Sequence, residues 1–275
     1  MNDIQVVKVG GAQGNDLNAV AQDAARLWKA GQRIVLVHGG SAEATALGES
    51  LGRPPRFAQS PGGHTSRLTD GETLEVFLMA TALVNRRLVA ALRAEGVSAV
   101  GLSGLDGGCL TAERKGAFRV IENGRVRVVR DDLSGKPVGA DSGFLRLLLD
   151  GGHLPVLAPV GSTVDGQALN VDGDRAAACV AGALGAQTLA LLTAVPGLMR
   201  DVNDPCSLVQ EISADEMDQA MSWAQGRMKK KVMGAAEALG HGVRRVVIAG
   251  SAGARPIEDA LAGRGTCLVP AAVTA

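Results

Sequence analysis

Residues 4–11 read Ile-Gln-Val-Val-Lys-Val-Gly-Gly, and residues 33–40 repeat the form as Arg-Ile-Val-Leu-Val-His-Gly-Gly. Each is a short, largely β-branched run that stops at a glycine pair, and the Ala-rich stretch between them, from about Asn15 to Ala30, has helical spacing. Strand, helix, strand in that order is the βαβ unit of a parallel sheet. Working outward, further strands are expected at Val97 to Leu102, Leu154 to Ala158, Thr188 to Leu192 and Arg245 to Ala249, each after a helix-like segment. This predicts an α/β fold with a mainly parallel, doubly wound sheet. Between Ala117 and Val129 the rhythm changes to two alternating runs around Glu122-Asn123-Gly124, which predicts a hairpin standing apart from that sheet.

The chain has 275 residues, 28 Lys+Arg against 28 Asp+Glu, 37 Gly, two Trp, four Phe and no Tyr. A neutral balance excludes a general nucleic-acid or anionic-membrane binder, which needs a cationic excess. So few aromatics leave the core to Ala, Val and Leu, and leave little surface for stacking bases. Cys109, Cys179, Cys206 and Cys267 lie tens of residues apart, a spacing that suits neither a disulfide framework nor a zinc site, so they read as reduced thiols of a cytoplasmic protein. Met1 leads almost directly into the first strand, with no basic leader and no run of about 20 apolar residues, so neither export nor membrane insertion is expected.

The P-loop, dinucleotide, zincin and nucleophile-elbow motifs are missing in their usual forms. Glycine pairs at strand ends remain. Lys8-Val-Gly10-Gly11 reads either as an anion site, with amide N–H groups beside a lysine, or as a tight βα turn with Lys8 solvated. Gly39 and Gly40 repeat the arrangement on an adjacent strand, which favours a shared crevice; His38 reads as a structural histidine. Lys229, Lys230 and Lys231 open a helical run that reaches Leu239. Cations in a first helical turn oppose the helix dipole unless an anion compensates, and for Lys229 and Lys230 a solvated turn is the simpler reading. Asn170-Val-Asp172-Gly-Asp174 precedes a helix starting near Arg175, where Asp174 reads as an N-cap or as a site residue. Separated lysines, an aspartate and glycine-rich strand ends suit phosphoryl transfer better than hydrolysis or hydride transfer.

Taken together the residues resemble the amino acid kinase family, and within it the acetylglutamate kinase branch. Eight ordered blocks carry the resemblance: Lys8-x-Gly-Gly, His38-Gly-Gly, Arg67-x-Thr-Asp70, Val100-Gly-Leu-Ser-Gly-x-Asp106-Gly, Asn170-Val-x-x-Asp174, Leu192-Thr-x-Val-x-Gly197, Gly226-x-Met-x-x-Lys231-Val and Gly265-Thr266. The resemblance implies a three-layer αβα sandwich in two lobes, residues 1–172 for substrate and dimerisation and residues 173–275 for ATP, meeting near Val171 to Ala178. It implies that Lys8 and Lys231 stabilise the transferring phosphoryl group and that Asp174 organises them. Gly10, Gly11, Gly39 and Gly40 would line the phosphoryl path with N–H donors, Arg67 and Asn170 would hold the amino-acid substrate with the second glycine pair, and Thr193 and Gly197 would lie in the nucleotide lobe. ATP and Mg²⁺ are the implied cofactors, and no protein metal site is implied.

Departures from that branch are informative. Ser60-Pro-x-Gly-His-x-Ser-Arg67 resembles enzymes that phosphorylate aminoadipate attached to a small acidic amino-group carrier protein in lysine biosynthesis, while Ala194 stands where an Asp is common. From Glu113 to Arg130 six cations (Arg114, Lys115, Arg119, Arg125, Arg127 and Arg130) face two acids, which suits an acidic protein partner if it is not a solvated edge. Phosphorylation of free N-acetylglutamate in arginine biosynthesis is the second expectation, and a non-catalytic amino-acid sensor on the same fold is the third. The short N-terminus predicts a homodimer without the extension of arginine-inhibited hexamers.

Overall fold

The computed structural model describes residues 3–11, 16–59, 65–122 and 125–271. In chain order the elements are β1 (Ile4–Val9), α1 (Leu17–Lys29), β2 (Arg33–His38), α2 (Ser41–Ser50), β3 (Phe57–Gln59), β4 (Thr65–Arg67), α3 (Gly71–Ala94), β5 (Ala99–Leu102), β6 (Leu110–Arg114), β7 (Phe118–Glu122), β8 (Arg125–Val129) and β9 (Ser134–Ala140). Then follow α4 (Ser142–Asp150), β10 (Leu154–Leu157), β11 (Val160–Ser162), β12 (Ala168–Val171), α5 (Gly173–Leu184), β13 (Thr188–Thr193), β14 (Glu211–Ser213), α6 (Met217–Trp223), α7 (Arg227–Gly240), β15 (Arg245–Gly250), α8 (Pro256–Leu261) and β16 (Thr266–Val269).

Among the described residues eight strands form the central sheet in the order β14-β16-β15-β13-β1-β2-β10-β5, parallel throughout except for the β15/β16 pair. Its inner strands β1, β2, β10 and β13 are buried on both faces, and alternate residues feed opposite layers. Val6, Val35, Val37, Leu189 and Leu191 pack with α4, α5, α6 and α7, whereas Val7, Val9, Ile34, Leu36 and Leu192 pack with α1, α3 and α8. The result is the expected three-layer sandwich. Small side chains make the layers close: α5 buries Ala176, Ala177, Ala178 and Ala181.

Two smaller sheets stand beside the central one. Strands β11-β12-β9-β6 close on themselves, and β4-β3-β7-β8 form an antiparallel sheet that contains the expected hairpin, with Glu122 opposite Arg125. Asn123 and Gly124 of its turn lie outside the described residues, as do Asn15 and residues 60–64. Two helix starts differ from the expectation. α5 begins at Gly173 with Asp172, not Asp174, as its cap: the Asp172 carboxylate accepts the N–H groups of Asp174 (3.0 Å) and Arg175 (3.2 Å). α7 begins at Arg227, behind Gly226 at φ 50° and ψ −120°, a conformation that favours glycine. Lys231 therefore sits past the first turn rather than in it.

Candidate active site

The C-terminal ends of β1, β2 and β13 share one rim with the N-termini of α2 and α5, the usual ligand crevice of such sheets. The period of two along β1 puts Lys8 on the same face as Val6, toward α5 and α7. There its Nζ lies 2.6 Å from Asp174 Oδ1, and Lys231 Nζ lies 3.2 Å from each carboxylate oxygen. All three residues are 6% exposed. Because Asp172 caps α5, the Asp174 side chain is released to the two lysines. Glycines make room: a Cβ on Gly173 would stand 3.3 Å from Lys8 Cε, and one on Gly234 3.3 Å from Asp174 Cβ. Arg175 clamps α5 to α7 through both Glu237 oxygens (2.8 and 2.6 Å). Gly173, Gly234 and this ion pair escape sequence reading, since their partners are fixed only by the fold.

Two buried ammonium groups share one carboxylate, so the cluster carries a net positive charge. Burial raises Asp174, but Lys8 and Lys231 together hold it well below the usual carboxylate range. Burial lowers Lys8, yet the closer Asp174 contact outweighs it and leaves Lys8 above its ordinary value. Lys231 carries the uncompensated charge: burial first, then Lys8, pull it down to about 8 against the attraction of Asp174. An anion placed between the lysines would supply the missing negative charge.

The glycine pairs lie side by side, with Val9 opposite His38 in the register. Of the four expected donors two are already engaged: Gly10 N–H donates to Leu192 O (3.1 Å) and Gly39 N–H to Val9 O (2.9 Å), both extending the sheet. This corrects the expectation that all four amides face a ligand and leaves Gly11 and Gly40 as the candidates. His38 is a structural residue. Fully buried, it accepts at Nε2 from Asn85 (3.1 Å) and donates from Nδ1 to Gly39 O (2.8 Å), and burial drives it down to about 4.

Arg67, on β4, reaches Ser41 O (3.1 Å) and Thr45 Oγ1 (2.8 Å) on α2 and stacks over Phe57. Asn170, on β12, donates to the hydroxyl of Thr69 (3.0 Å). Thr193 ends β13 opposite Gly250, and its carbonyl accepts from Ser251 N–H (2.7 Å). Gly197 is packed against Thr266, whose hydroxyl would stand 2.6 Å from an added Cβ and accepts the Leu198 N–H (2.8 Å). Gly197 thus ties the 194–199 turn to β16.

The basic stretch divides. Arg119, Arg125 and Arg127 belong to the β7–β8 hairpin, and the exposed Arg130 follows it; the Arg125 side chain lies outside the described residues. Arg114 instead ends β6, where its Nε donates to Asp132 O (2.8 Å). Lys115 is open at its surface, yet its ammonium is packed enough that burial lowers its pKa; Lys230 and Arg175 add to the effect and Asp132 and Asp172 oppose it. It therefore belongs to the surroundings of the lysine cluster, not to the hairpin. The hairpin face that carries Arg119 also exposes Ile121, Val126 and Val128, with Val126 66% exposed. Among the described residues no helix is long and apolar enough to cross a membrane, and the four cysteines are free, with burial pushing Cys109 up to about 12 and Cys179 to about 11.

The sequence profile of the amino acid kinase family matches residues 3–250. The "[LysW]-aminoadipate kinase" of Deinococcus radiodurans is 50% identical over 262 residues, covering 95% of this chain and 90% of that protein, and the one of Thermus thermophilus is 50% identical over 264 residues, covering 95% and 98%. The "Acetylglutamate kinase" of Methanopyrus kandleri is 39% identical over 269 residues, covering 96% and 99%. Among solved structures, N-acetylglutamate synthase of Neisseria gonorrhoeae, complexed with coenzyme A and N-acetyl-glutamate, superposes with a TM-score of 0.80 at 29% identity over 98% of this chain, which spans 60% of that longer one.

Proposed function

The chain belongs to the amino acid kinase family, and from that premise we propose that it phosphorylates, with ATP, the side-chain carboxylate of L-2-aminoadipate held on an acidic amino-group carrier protein of the LysW kind. The product is an acyl phosphate in lysine biosynthesis. The observation that carries the reading is the buried Lys8–Asp174–Lys231 cluster, whose uncompensated positive charge fits an anion. Half of the residues are shared with two relatives named for that activity.

A carboxylate acceptor is already ionised at neutral pH, so the reaction requires no general base, and the buried neutral His38 is consistent with this. The barrier lies in bringing that anion to a polyphosphate, a repulsion of about 4 kcal/mol per pair of unit charges at 4 Å and an effective dielectric of 20. One acceptor oxygen forms a bond to the γ-phosphorus while the bond to the bridging oxygen breaks and its electrons leave with ADP. Lys8 and Lys231 neutralise charge on the transferring group, Asp174 holds both ammonium groups in place, and the Gly11 and Gly40 amides add donors. Gly10 and Gly39 shape the path with their backbone; Arg67 and Asn170 orient the α-end of the acceptor. Thr193 and Gly197 serve the nucleotide side, the latter by fixing its turn. Mg²⁺ arriving with the nucleotide would supply further neutralisation of phosphate charge. Among the described residues no group of three or more His, Cys, Asp or Glu is placed to hold a metal, so the nucleotide itself would carry it.

In this reading residues 1–172 bind the acceptor and form a homodimer, residues 173–275 bind ATP, and the protein works in the cytoplasm. The hairpin cations Arg119, Arg125 and Arg127, with Arg130, meet the acidic carrier; of these Arg119 shares its face with the exposed apolar strip, whereas Arg127 pairs with Val120 on the other face. N-acetyl-L-glutamate 5-kinase activity is the second reading, favoured by the relative from Methanopyrus kandleri; the complete lysine–aspartate cluster argues against a non-catalytic sensor. ADP release is the test. With carrier-bound aminoadipate, carrier-bound glutamate and free N-acetylglutamate compared, activity on the free substrate alone would overturn the carrier reading.

A further inference from the structure

The Arg67-x-Thr-Asp70 motif contains a residue that the proposed chemistry leaves without a role. Thr69 is fully buried between β4 and α3. Its main chain is clamped on both sides: its N–H donates to Asp132 Oδ2 (2.8 Å) and its carbonyl accepts from Leu133 N–H (2.6 Å). Asp132 is itself 3% exposed and is fixed by accepting the Ser134 N–H at its other oxygen (2.8 Å). The Thr69 hydroxyl then faces two ways. It accepts from Asn170 Nδ2 (3.0 Å) and lies 3.4 Å from the carbonyl of Arg67, to which it donates. Asn170 is held to the same unit by its N–H, which donates to Leu133 O (3.0 Å).

We propose that Thr69, locked by Asp132, is a positioning residue that sets the Asn170 amide against the Arg67 strand and so determines how tightly the acceptor is held. The proposal rests on the reading of Arg67 and Asn170 as acceptor-binding residues. A hydroxyl suits the task because it donates and accepts at once, and burial keeps water from replacing either bond. A main chain clamped at both N–H and C=O gives it a fixed origin, so the amide plane of Asn170 is set before any ligand arrives.

Thr69→Val keeps the shape and removes the hydroxyl, while Thr69→Ser keeps the hydroxyl. Kinetics are read on whichever of carrier-bound aminoadipate and free N-acetylglutamate the wild type phosphorylates, so a wrong acceptor overturns the functional reading and leaves this test intact. Thr69→Val is expected to raise acceptor KM about tenfold, with ATP KM within twofold of wild type and kcat changed less than acceptor KM; Thr69→Ser returns acceptor KM to within twofold. Because the effect runs through Asn170, Thr69→Val with Asn170→Ala should be no worse than Asn170→Ala alone. An unchanged acceptor KM in Thr69→Val, parallel rises for ATP and acceptor, or additive effects in the double variant would each overturn the proposal. If Thr69→Val fails to fold, the same KM comparison on Asp132→Asn, which weakens the lock and keeps the hydroxyl, decides it: acceptor KM rises selectively or the proposal fails.

Discussion

Gly11 and Gly39 meet main chain to main chain. A Cβ on Gly11 would stand 2.3 Å from the Gly40 nitrogen, and one on Gly39 2.3 Å from the Gly11 nitrogen. Neither obstacle can rotate away, so Gly11→Ala or Gly39→Ala must push β1 and β2 apart at the rim, with an expected loss of about 3 kcal/mol, the upper end for overpacking. Gly40→Ala first meets the Thr81 methyl at 2.6 Å, a side-chain atom that can shift, and is expected to lose less. Urea midpoints of the three variants test the order; equal losses would contradict it.

Lys231 and Asp174 are expected to differ in their effect on stability. Lys231→Ala removes the uncompensated charge and leaves Lys8 paired with Asp174, so kcat should fall by about 10²–10³ while the melting temperature holds or rises. Asp174→Asn leaves two buried ammonium groups facing each other and should lose about 3–5 kcal/mol in addition to activity. Thermal melts beside steady-state kinetics separate the two, and a Lys231→Ala variant with near wild-type turnover would remove Lys231 from the mechanism.

Lys231, drawn down to about 8, gives the pH dependence its sign. Phosphate binding needs the charged form, so kcat/KM should fall as pH rises through about 8. Bound phosphates favour the ammonium, so the alkaline limb of kcat should lie higher. The native state holds fewer protons here than the unfolded chain between about 8 and the ordinary 10.5, so this group's contribution grows more favourable as pH rises across that window. Lys231→Arg, charged throughout, should erase the limb in kcat/KM; a limb that stays near 8 in that variant belongs to another group.

At the hairpin, Arg119→Glu should slow encounter with an acidic carrier, raising KM for carrier-bound substrate several-fold at low salt and less at high salt, with ATP KM unchanged. Kinetics at two ionic strengths check this, and salt-independent behaviour would place the carrier elsewhere.

What the sequence makes legible is what neighbouring residues decide. The runs ending in Gly10-Gly11 and Gly39-Gly40 announce adjacent parallel strands, and β1 and β2 pair along their whole length. The hairpin is equally local. Lys8, Asp174 and Lys231 emerge only as ordered blocks; that they touch follows from β1 lying on α5 and α5 on α7. Asp174 reads from the sequence as a cap or a site residue; Asp172 takes the cap, which releases Asp174. Asp132 and Thr69 lie 63 positions apart and nothing near either points to the other. The cations at Arg114 and Lys115 show the opposite failure: contiguous with the hairpin in sequence, they lie at and just past the end of β6, in a different sheet.

The central position of β1 has a consequence for synthesis in the cell. One edge of β1 is paired by β2, the next strand to be made, but the other waits for β13, with Gln5 opposite Thr188. At about 5–20 residues per second, that edge and its apolar flanks stay open for roughly 10–40 s on the ribosome. Lys8 meanwhile stands without Asp174, which is translated only shortly before β13. The nascent chain is thus exposed to mispairing from the completion of β2 until β13 emerges, and chaperone demand should be greatest in that interval.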